Sequence, residues 1–242
     1  MKVYGLIGYP LTHSFSKKFF TDKFEKQGLT GYRYENFSIS SIEELKKILA
    51  LPDLAGLNVT IPYKESVISF LDEKTDVVKK IGACNCIRIE GKRLKGFNTD
   101  TIGFEKTLAE KLKPHHKKAL LLGTGGAAKA VEFVLNKLGI KYKYVSRKPS
   151  ILHLSYEQVT PQVIADYTLI INSTPLGMFP NIVQAPPIPY EALTSQHLLY
   201  DLVYNPPKTL FLQKGEQKGA EIMNGYDMLV IQAEESWKIW ND

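Results

Sequence analysis

The chain has 242 residues and a formal net charge of +6 at pH 7, and 44% of its residues are hydrophobic and 23% charged. This composition is ordinary for a soluble globular protein, and the length allows one large domain or two small ones with real hydrophobic cores. The positive charge suits a small anionic ligand, but there is no basic tail and no stripe of Lys and Arg interleaved with aromatics, so we expect no nucleic-acid partner.

The N-terminal residues and the cysteines both favour a cytoplasmic protein. The apolar run in residues 1–10 is interrupted by Gly and Pro too early for a signal peptide, and no segment approaches the length of a membrane span. Cys84 and Cys86 are too close for an unstrained disulfide, and no nearby pair of His or Cys completes a metal site. We therefore expect no membrane partner, no metal, and two half-buried strand thiols in a reducing compartment.

Short apolar runs alternate with longer helical patterns, which is typical of α/β architecture. In the first half of the chain the strands are predicted near residues 3–7, 32–37 and 56–59, and the helices near residues 15–27 and 42–49. A β-hairpin follows over residues 84–89 and 93–96, with Glu90-Gly91-Lys92 between its strands. Asn98-Thr99-Asp100 then begins a helix that continues over residues 101–112.

A change in character over residues 99–118 predicts a domain boundary. The basic connector at residues 113–118 contains His115 and His116, which we expect to be solvated linker residues rather than metal ligands. Beyond it, strands are predicted near residues 118–122, 142–146, 167–171, 198–202 and 220–223, and helices near residues 127–138, 207–218 and 226–240. The last helix is amphipathic, and we expect it to pack back onto the first domain.

A glycine-rich loop opens between a predicted strand and a predicted helix. Leu122 is followed by Gly123-Thr124-Gly125-Gly126-Ala127-Ala128. In a dinucleotide site the first glycine allows the tight turn, the second lets the backbone approach the pyrophosphate, and the helix N-terminus supplies free N–H groups. Ala128 occupies the third place of this pattern, and the loop therefore predicts a bound dinucleotide.

The end of the next predicted strand favours NADP over NAD. NAD enzymes usually carry an acidic residue there for the ribose hydroxyls, whereas this chain has Ser146-Arg147-Lys148. A guanidinium can bind the 2′-phosphate with two hydrogen bonds and can stack on the adenine. We expect NADP(H) as the cofactor.

A succession of short motifs surrounds this loop, and each alone has an ordinary structural explanation. Lys64 could be a surface lysine, Asp100 a helix cap, and Ser14 and Ser16 caps of the helix that follows them. The motifs are GYPLTHSFS at residues 8–16, NVTIPYK at 58–64, GACN at 82–85, GFNTD at 96–100, NSTPLGM at 172–178, DLVYNP at 201–206 and GYDML at 225–229 with Gln232. In this order, over essentially the whole chain, they closely resemble the shikimate dehydrogenase family.

The resemblance implies a two-domain α/β enzyme whose active site lies in the cleft between a substrate-binding domain, residues 1–99 with 224–242, and a Rossmann-like NADP-binding domain, residues 100–223. The family reduces 3-dehydroshikimate reversibly to shikimate with NADPH. The implied substrate-binding residues are Ser14 and Ser16, for the carboxylate, and Thr60, Asn85, Tyr204 and Gln232. Lys64 and Asp100 are the implied catalytic pair, and the implied cofactor-binding set is Gly123, Gly125, Gly126, Ala127, Ala128, Ser146, Arg147, Lys148, Thr174 and Gly225.

The chemistry independently calls for such a pair. Hydride delivered to a ketone leaves alkoxide character on the oxygen, which a nearby ammonium can stabilise and protonate. Asp100 can orient Lys64 and the adjacent hydroxyl, and either group can be the one that transfers the proton. The partner implied is a small-molecule substrate, on a monomer or a homodimer.

Two departures leave alternatives open. The family commonly has Asn-Arg-Thr where this chain has Ser146-Arg147-Lys148, and residues 149–152 add no further basic side chain. NADP selectivity then depends on Arg147 and Lys148 alone or is weaker than usual. The alternatives are a quinate/shikimate dehydrogenase with broader substrate and NAD use, a methylenetetrahydrofolate dehydrogenase-like enzyme, which the serine pair and Gln232 disfavour, and a non-catalytic NADP-binding relative, which Lys64 and Asp100 disfavour.

Overall fold

The computed structural model describes residues 1–11, 14–148 and 150–242. It divides into two compact units, one formed by Met1–Thr99 with Gln232–Asp242 and the other by Asp100–Ile231. Residues 224–231, which the sequence groups with the first domain, are thus grouped with the second unit. Among the described helices, none has the length and apolar character of a membrane span.

The first unit has a mixed six-stranded sheet in the order β2-β1-β3-β5-β6-β4. Its strands are β1 (Lys2–Gly8), β2 (Tyr32–Ser38), β3 (Leu54–Val59), β4 (Glu73–Lys74), β5 (Cys86–Glu90) and β6 (Arg93–Phe97). Its helices are α1 (Phe15–Lys26), α2 (Leu45–Leu49) and α3 (Asp76–Ile81), with 3-10 turns at Ile42–Glu44 and Ser66–Phe70. Strand β1 is parallel to both neighbours, and β5 is antiparallel to β3 and β6.

The second unit has an all-parallel sheet in the order β12-β11-β10-β7-β8-β9. Its helices are α4 (Asp100–Lys111), α5 (Gly126–Lys137), α6 (Pro161–Asp166) and α7 (Leu210–Gln217). Its strands are β7 (Lys118–Leu122), β8 (Lys141–Val145), β9 (His153–Leu154), β10 (Leu169–Asn172), β11 (Leu198–Asp201) and β12 (Glu221–Met223). The last helix, α8 (Tyr226–Asn241), begins in this unit and ends in the first.

Strand β7 lies at the centre of the second unit and is buried on both faces. Leu121 packs into the cluster that contains α4 and α5 residues, while Leu120 and Leu122 pack into the cluster that contains α6 and α7 residues. Strand β8 lies on one side of β7 and β10 on the other, so the strand order reverses between β7 and β10. In a doubly wound sheet, ligands bind at the carboxyl ends of the strands beside such a reversal.

The structure confirms the predicted longer strands and helices to within a few residues, with three corrections. The helix predicted from residue 207 begins only at Leu210, where the hydroxyl of Thr209 accepts a hydrogen bond from Leu212 N. Both cysteines are fully buried, and only Cys86 lies in a strand, so the expectation of half-buried strand thiols was wrong. His116 is buried rather than solvated, and its ring has protein partners, since Lys113 N donates to its Nδ1 and its Nε2 lies 3.2 Å from Gln196 O.

Helix α8 completes the core of the first unit. The indole Nε1 of Trp240 donates to Ile87 O at 3.0 Å, and its ring stacks on Tyr4 with centroids 4.7 Å apart. Beneath the indole lies Gly56 of β3, where a Cβ atom would collide with the Trp240 ring. The C-terminal helix therefore depends on the absence of a side chain at Gly56.

The buried carboxylate of Asp201 ties together the loops at the carboxyl ends of β10 and β11. Its Oδ1 accepts hydrogen bonds from Asn172 Nδ2 at 2.9 Å and from Val203 N at 3.0 Å, and its Oδ2 accepts one from Thr209 Oγ1 at 2.5 Å. Burial raises the pKa of Asp201 from 3.8 to about 6, and the three hydrogen bonds oppose that rise only in part. The carboxylate is thus held in place at a cost in stability.

Replacing Gly56 by Ala should destabilise the first unit by about 1–3 kcal/mol, because the added methyl group forces the Trp240 indole out of its place. Chemical denaturation followed by tryptophan fluorescence measures this, since both tryptophans lie in α8. Gly31→Ala is the matched control, because nothing lies within 4 Å of a Cβ there. Equal stability of Gly56→Ala and wild type would contradict the packing described here.

Replacing Asp201 by Asn should remove a pH dependence of stability. Since the folded chain holds a proton on this carboxyl up to about pH 6 and the unfolded chain only to about 3.8, the contribution of Asp201 to stability falls as the pH rises between these values. The free energy of unfolding of Asp201→Asn minus that of wild type should grow by about 2 kcal/mol from pH 4 to pH 7. Urea denaturation followed by circular dichroism measures it.

The exposed Asp166 provides the control for that measurement. Asp166→Asn should give a curve of stability against pH parallel to that of wild type. A parallel curve for Asp201→Asn as well would show that the buried carboxyl does not titrate as described.

Candidate functional site

The glycine-rich loop has the backbone geometry that a phosphate-binding turn requires. Gly123 follows β7 directly with φ +101°, which favours glycine, and its N–H donates to Val145 O at 2.9 Å. A Cβ at Gly123 would lie 2.8 Å from Ser173 Oγ and 3.0 Å from Thr174 Cγ2. The first glycine therefore lets the loop pass close against the residues that follow β10.

The N-terminus of α5 is accessible and has no side-chain cap. Gly125 is the N-cap residue, is exposed, makes no side-chain capping bond, and has no atom within 4 Å of where a Cβ would stand. Gly126 and Ala127 begin the helix, and the fully buried Ala128 packs it against the sheet. The N–H groups and positive dipole end of this helix can hold the pyrophosphate of a dinucleotide, as the sequence predicts.

The basic residues predicted to recognise NADP lie at the same edge of the sheet as the loop. Strands β7 and β8 are parallel, with Leu122 opposite Val145. Ser146, the first residue after β8, therefore lies at the same level of the sheet as Gly123, the first residue after β7. Ser146 Oγ accepts a hydrogen bond from Lys148 N at 3.1 Å, and Arg147 and Lys148 are exposed. No acidic residue stands at this strand end, which suits a phosphate on the adenosine ribose.

Three further cofactor or substrate candidates follow the carboxyl ends of β10, β11 and β12. Thr174 donates both N–H and Oγ1 to Asn172 Oδ1, at 3.0 and 2.6 Å, so Asn172 links it to Asp201. Tyr204 is half-buried, and burial raises its pKa. Gly225 donates its N–H to Val203 O, and a Cβ there would collide with the Leu202 carbonyl.

In the first unit a chain of buried hydrogen bonds surrounds Asn85. Its Oδ1 accepts from Thr99 N at 2.7 Å, and its Nδ2 lies 3.0 Å from Thr99 Oγ1 and 3.5 Å from Gln232 Oε1. Asn85, Thr99 and Gln232 are each at least nine-tenths buried. The structure therefore brings together Asn85 and Gln232, two of the predicted substrate-binding residues.

The same chain of hydrogen bonds continues to Ser16 through residues that the sequence analysis did not single out. Asn58 Nδ2 donates to Asn85 O at 3.3 Å, and Asn58 Oδ1 accepts from Tyr34 Oη at 2.8 Å. The Tyr34 hydroxyl is also hydrogen-bonded to Ser16, and burial raises its pKa. A buried asparagine within the apolar strand β3 is the signal that could have identified Asn58.

Thr60 and Lys64 lie on the segment that follows β3. Thr60 N donates to Ile7 O at 2.9 Å, and its methyl group packs where Gly8 has no side chain. The carbonyl of Lys64 accepts a hydrogen bond from Cys84 N at 2.7 Å, which places Lys64 beside the residue that precedes Asn85. Lys64 is half-buried.

Asp100 and Ser14 complete the set of predicted residues. Asp100 is buried and begins α4, and its peptide bond to Thr99 anchors it to the hydrogen-bonded residue before it. Ser14 caps α1, since its Oγ accepts from Lys17 N at 3.2 Å, but its O–H proton can still be donated to a carboxylate. Thr12 and His13 of the first motif and Pro149 lie outside the described residues. Among the residues that the structure describes, no group of His, Cys, Asp or Glu forms a metal site.

Comparison with known proteins agrees with this geometry. Residues 6–87 match the family model of the shikimate dehydrogenase substrate binding domain. The chain is 36% identical to the shikimate dehydrogenase (NADP(+)) of Caldicellulosiruptor saccharolyticus, covering 100% of this chain and 93% of that protein. It is 39% identical to the enzyme of the same name from Halothermothrix orenii, covering 99% and 90%.

A solved structure extends the similarity to the whole fold. The shikimate 5-dehydrogenase of Thermus thermophilus, in complex with NADP(H) and shikimate, superimposes with a TM-score of 0.87 at 29% identity, covering 99% of this chain and 93% of that one. Two relatives thus share more than 30% of their residues with this chain over nearly their full length. The chain belongs to the shikimate dehydrogenase family.

Proposed function

We propose that this chain catalyses the reversible, NADPH-dependent reduction of 3-dehydroshikimate to shikimate. The observation that carries the proposal is that one chain holds both a dinucleotide loop with basic residues beside it and, in its other unit, a buried chain of hydrogen bonds joining the predicted substrate residues Ser16, Asn85 and Gln232. Two relatives at 36% and 39% identity are named shikimate dehydrogenase (NADP(+)).

The residues at the carboxyl edge of the second sheet fit NADP(H). The loop from Gly123 to Ala128 takes the pyrophosphate, and Ser146, Arg147 and Lys148 take the 2′-phosphate end of the cofactor. Thr174 and Gly225 line the reacting end. When bound, the cofactor supplies the hydride that reduces the ketone.

The substrate residues share a common physical property, which is that their partners hold them in fixed positions. Asn85 and Gln232 have their amide groups fixed by Thr99, so that they can present a defined donor and acceptor pattern to hydroxyl and carbonyl oxygens. The hydroxyls of Ser14 and Ser16 donate to the substrate carboxylate. Thr60 and Tyr204 supply further hydroxyl contacts.

Lys64 and Asp100 form the proposed catalytic pair. As hydride reaches the ketone carbon, negative charge develops on the oxygen, and the Lys64 ammonium stabilises that charge. Asp100 orients the ammonium and the hydroxyl that forms. A proton from the pair completes the alcohol, and in the reverse direction the pair accepts that proton.

The first test is turnover. Purified protein given 3-dehydroshikimate should consume NADPH, which is measured as a loss of the absorbance of the reduced nicotinamide. It should use NADH much less efficiently, because NADH has no 2′-phosphate for the basic residues to bind. Shikimate and quinate compared in the oxidative direction test the broader alternative. No turnover with either cofactor would leave a non-catalytic NADP-binding relative as the better interpretation.

Replacing Lys64 by Ala should lower kcat by about 10²–10⁴-fold while leaving the Kd for NADPH within about twofold of wild type, because the ammonium acts on the developing alkoxide rather than on the cofactor. Steady-state kinetics and equilibrium titration with NADPH measure the two quantities. Lys80→Ala removes an exposed lysine of the same unit and is the matched control. An equal loss of NADPH affinity in Lys64→Ala would mean that Lys64 belongs to the cofactor site instead.

A further inference from the structure

A pocket of about 560 Å³ opens in the second unit beside Arg147. Its lining includes Tyr156, the loop through residues 183–188, Tyr190 and the α7 residue Lys214. Arg147 follows β8 at the edge that carries the glycine-rich loop, so the pocket adjoins the place proposed for the adenosine end of the cofactor.

Two cations and no carboxylate line this pocket. Arg147 and Lys214 are its charged residues, and neither forms an ion pair with any residue that the structure describes. Some other lysines of the unit are paired, for example Lys137 with Glu105 and Lys208 with Glu216. An unpaired pair of cations facing one cavity favours an anionic occupant.

Lys214 is held at the pocket rather than free in solvent. It is half-buried, and its Nζ lies 4.7 Å from the centroid of the Tyr190 ring, a cation–π distance. The Tyr190 hydroxyl donates to Pro186 O at 2.7 Å, which fixes the ring beneath the ammonium. The next residue on the helix, Gly215, packs so closely on Leu199 that it leaves no room for a Cβ, and this contact sets the rotation of α7.

The remaining walls suit a planar, weakly polar group. Tyr156 and Tyr190 are aromatic lining residues, and residues 183–188 are mainly aliphatic residues and prolines. Arg147 lies close enough to Tyr156 for its charge to lower the pKa of the phenol, although burial raises that pKa more. A ligand with a phosphate and an aromatic base would satisfy both the cations and the rings.

We propose that Lys214 is a specificity-determining residue that binds the 2′-phosphate of the adenosine ribose together with Arg147. This inference rests on the proposed function, since it takes NADP(H) as the cofactor. The chain has no further basic residue at 149–152, and α7, a distant segment of the sequence, supplies the missing cation. A phosphate monoester dianion between two such cations gains charge-assisted hydrogen bonds that a ribose hydroxyl cannot form.

The test uses two ligands that differ only in the 2′-phosphate, adenosine 2′,5′-bisphosphate and adenosine 5′-monophosphate, in calorimetric titrations of the full-length protein. Lys214→Gln should weaken binding of the bisphosphate about tenfold and leave that of the monophosphate within about twofold. The ratio of kcat/KM for NADPH to that for NADH should fall by a similar factor. Lys218→Gln, an exposed lysine at the end of the same helix, removes the same net charge and should change neither.

Three outcomes would overturn the inference. In the first, Lys214→Gln matches Lys218→Gln in both titrations. In the second, it weakens both ligands equally, which would indicate a role in the pocket wall only. In the third, wild type does not distinguish the two ligands. The titrations need no turnover, so their result is separable from the failure of the proposed function. If the protein showed no dehydrogenase activity but still distinguished the two ligands through Lys214, the proposed reaction would be wrong and the role of Lys214 in binding the 2′-phosphate would stand.

Discussion

The second unit depends on one buried carboxylate, whose charged form is destabilised by burial. Asp201 accepts hydrogen bonds from the end of β10, from the turn after β11 and from the cap of α7, so three separate segments are fixed by one group. Burial outweighs these bonds enough to raise the pKa of Asp201 to about 6. A fold that retains such a group gives up stability for fixed loop positions, and those loops carry Thr174, Tyr204 and, through α7, Lys214.

In the first unit, neutral buried groups rather than a carboxylate hold separate segments in fixed positions. Its buried amides and hydroxyls run from Ser16 through Tyr34, Asn58 and Asn85 to Gln232, and each is paired with the next. Because an unpaired polar group in a dry interior costs free energy, every member constrains its neighbours. A substrate whose oxygens contact these hydrogen-bonded groups would find donors and acceptors that need little reorganisation. Such preorganisation favours selective binding of a polyhydroxylated ring.

Much of this could be predicted from the sequence, and the rest could not for identifiable reasons. The apolar run before Gly123 and the spacing of its glycines are local signals, and they located β7, the loop and α5. Strands β4 and β9 have two residues each and helices α3 and α6 six each, too short for any periodicity to show. The burial of His116 depends on Lys113 N and the distant Gln196 O, and the network of Asn58 and Thr99 likewise joins residues far apart in the chain. Only tertiary structure reveals such partners.

Lys214 illustrates why cofactor specificity is the hardest property to infer from a motif. Water and salt screen the charge of an exposed arginine, whereas the charge of a lysine held half-buried over an aromatic ring is screened less. The cation with the greater effect per charge can therefore be the one that lies far along the chain from the recognised motif. Its place is fixed by the packing of Gly215 on Leu199 and by the cap of α7 on Asp201, which are properties of the sheet and not of the strand end where selectivity is usually sought.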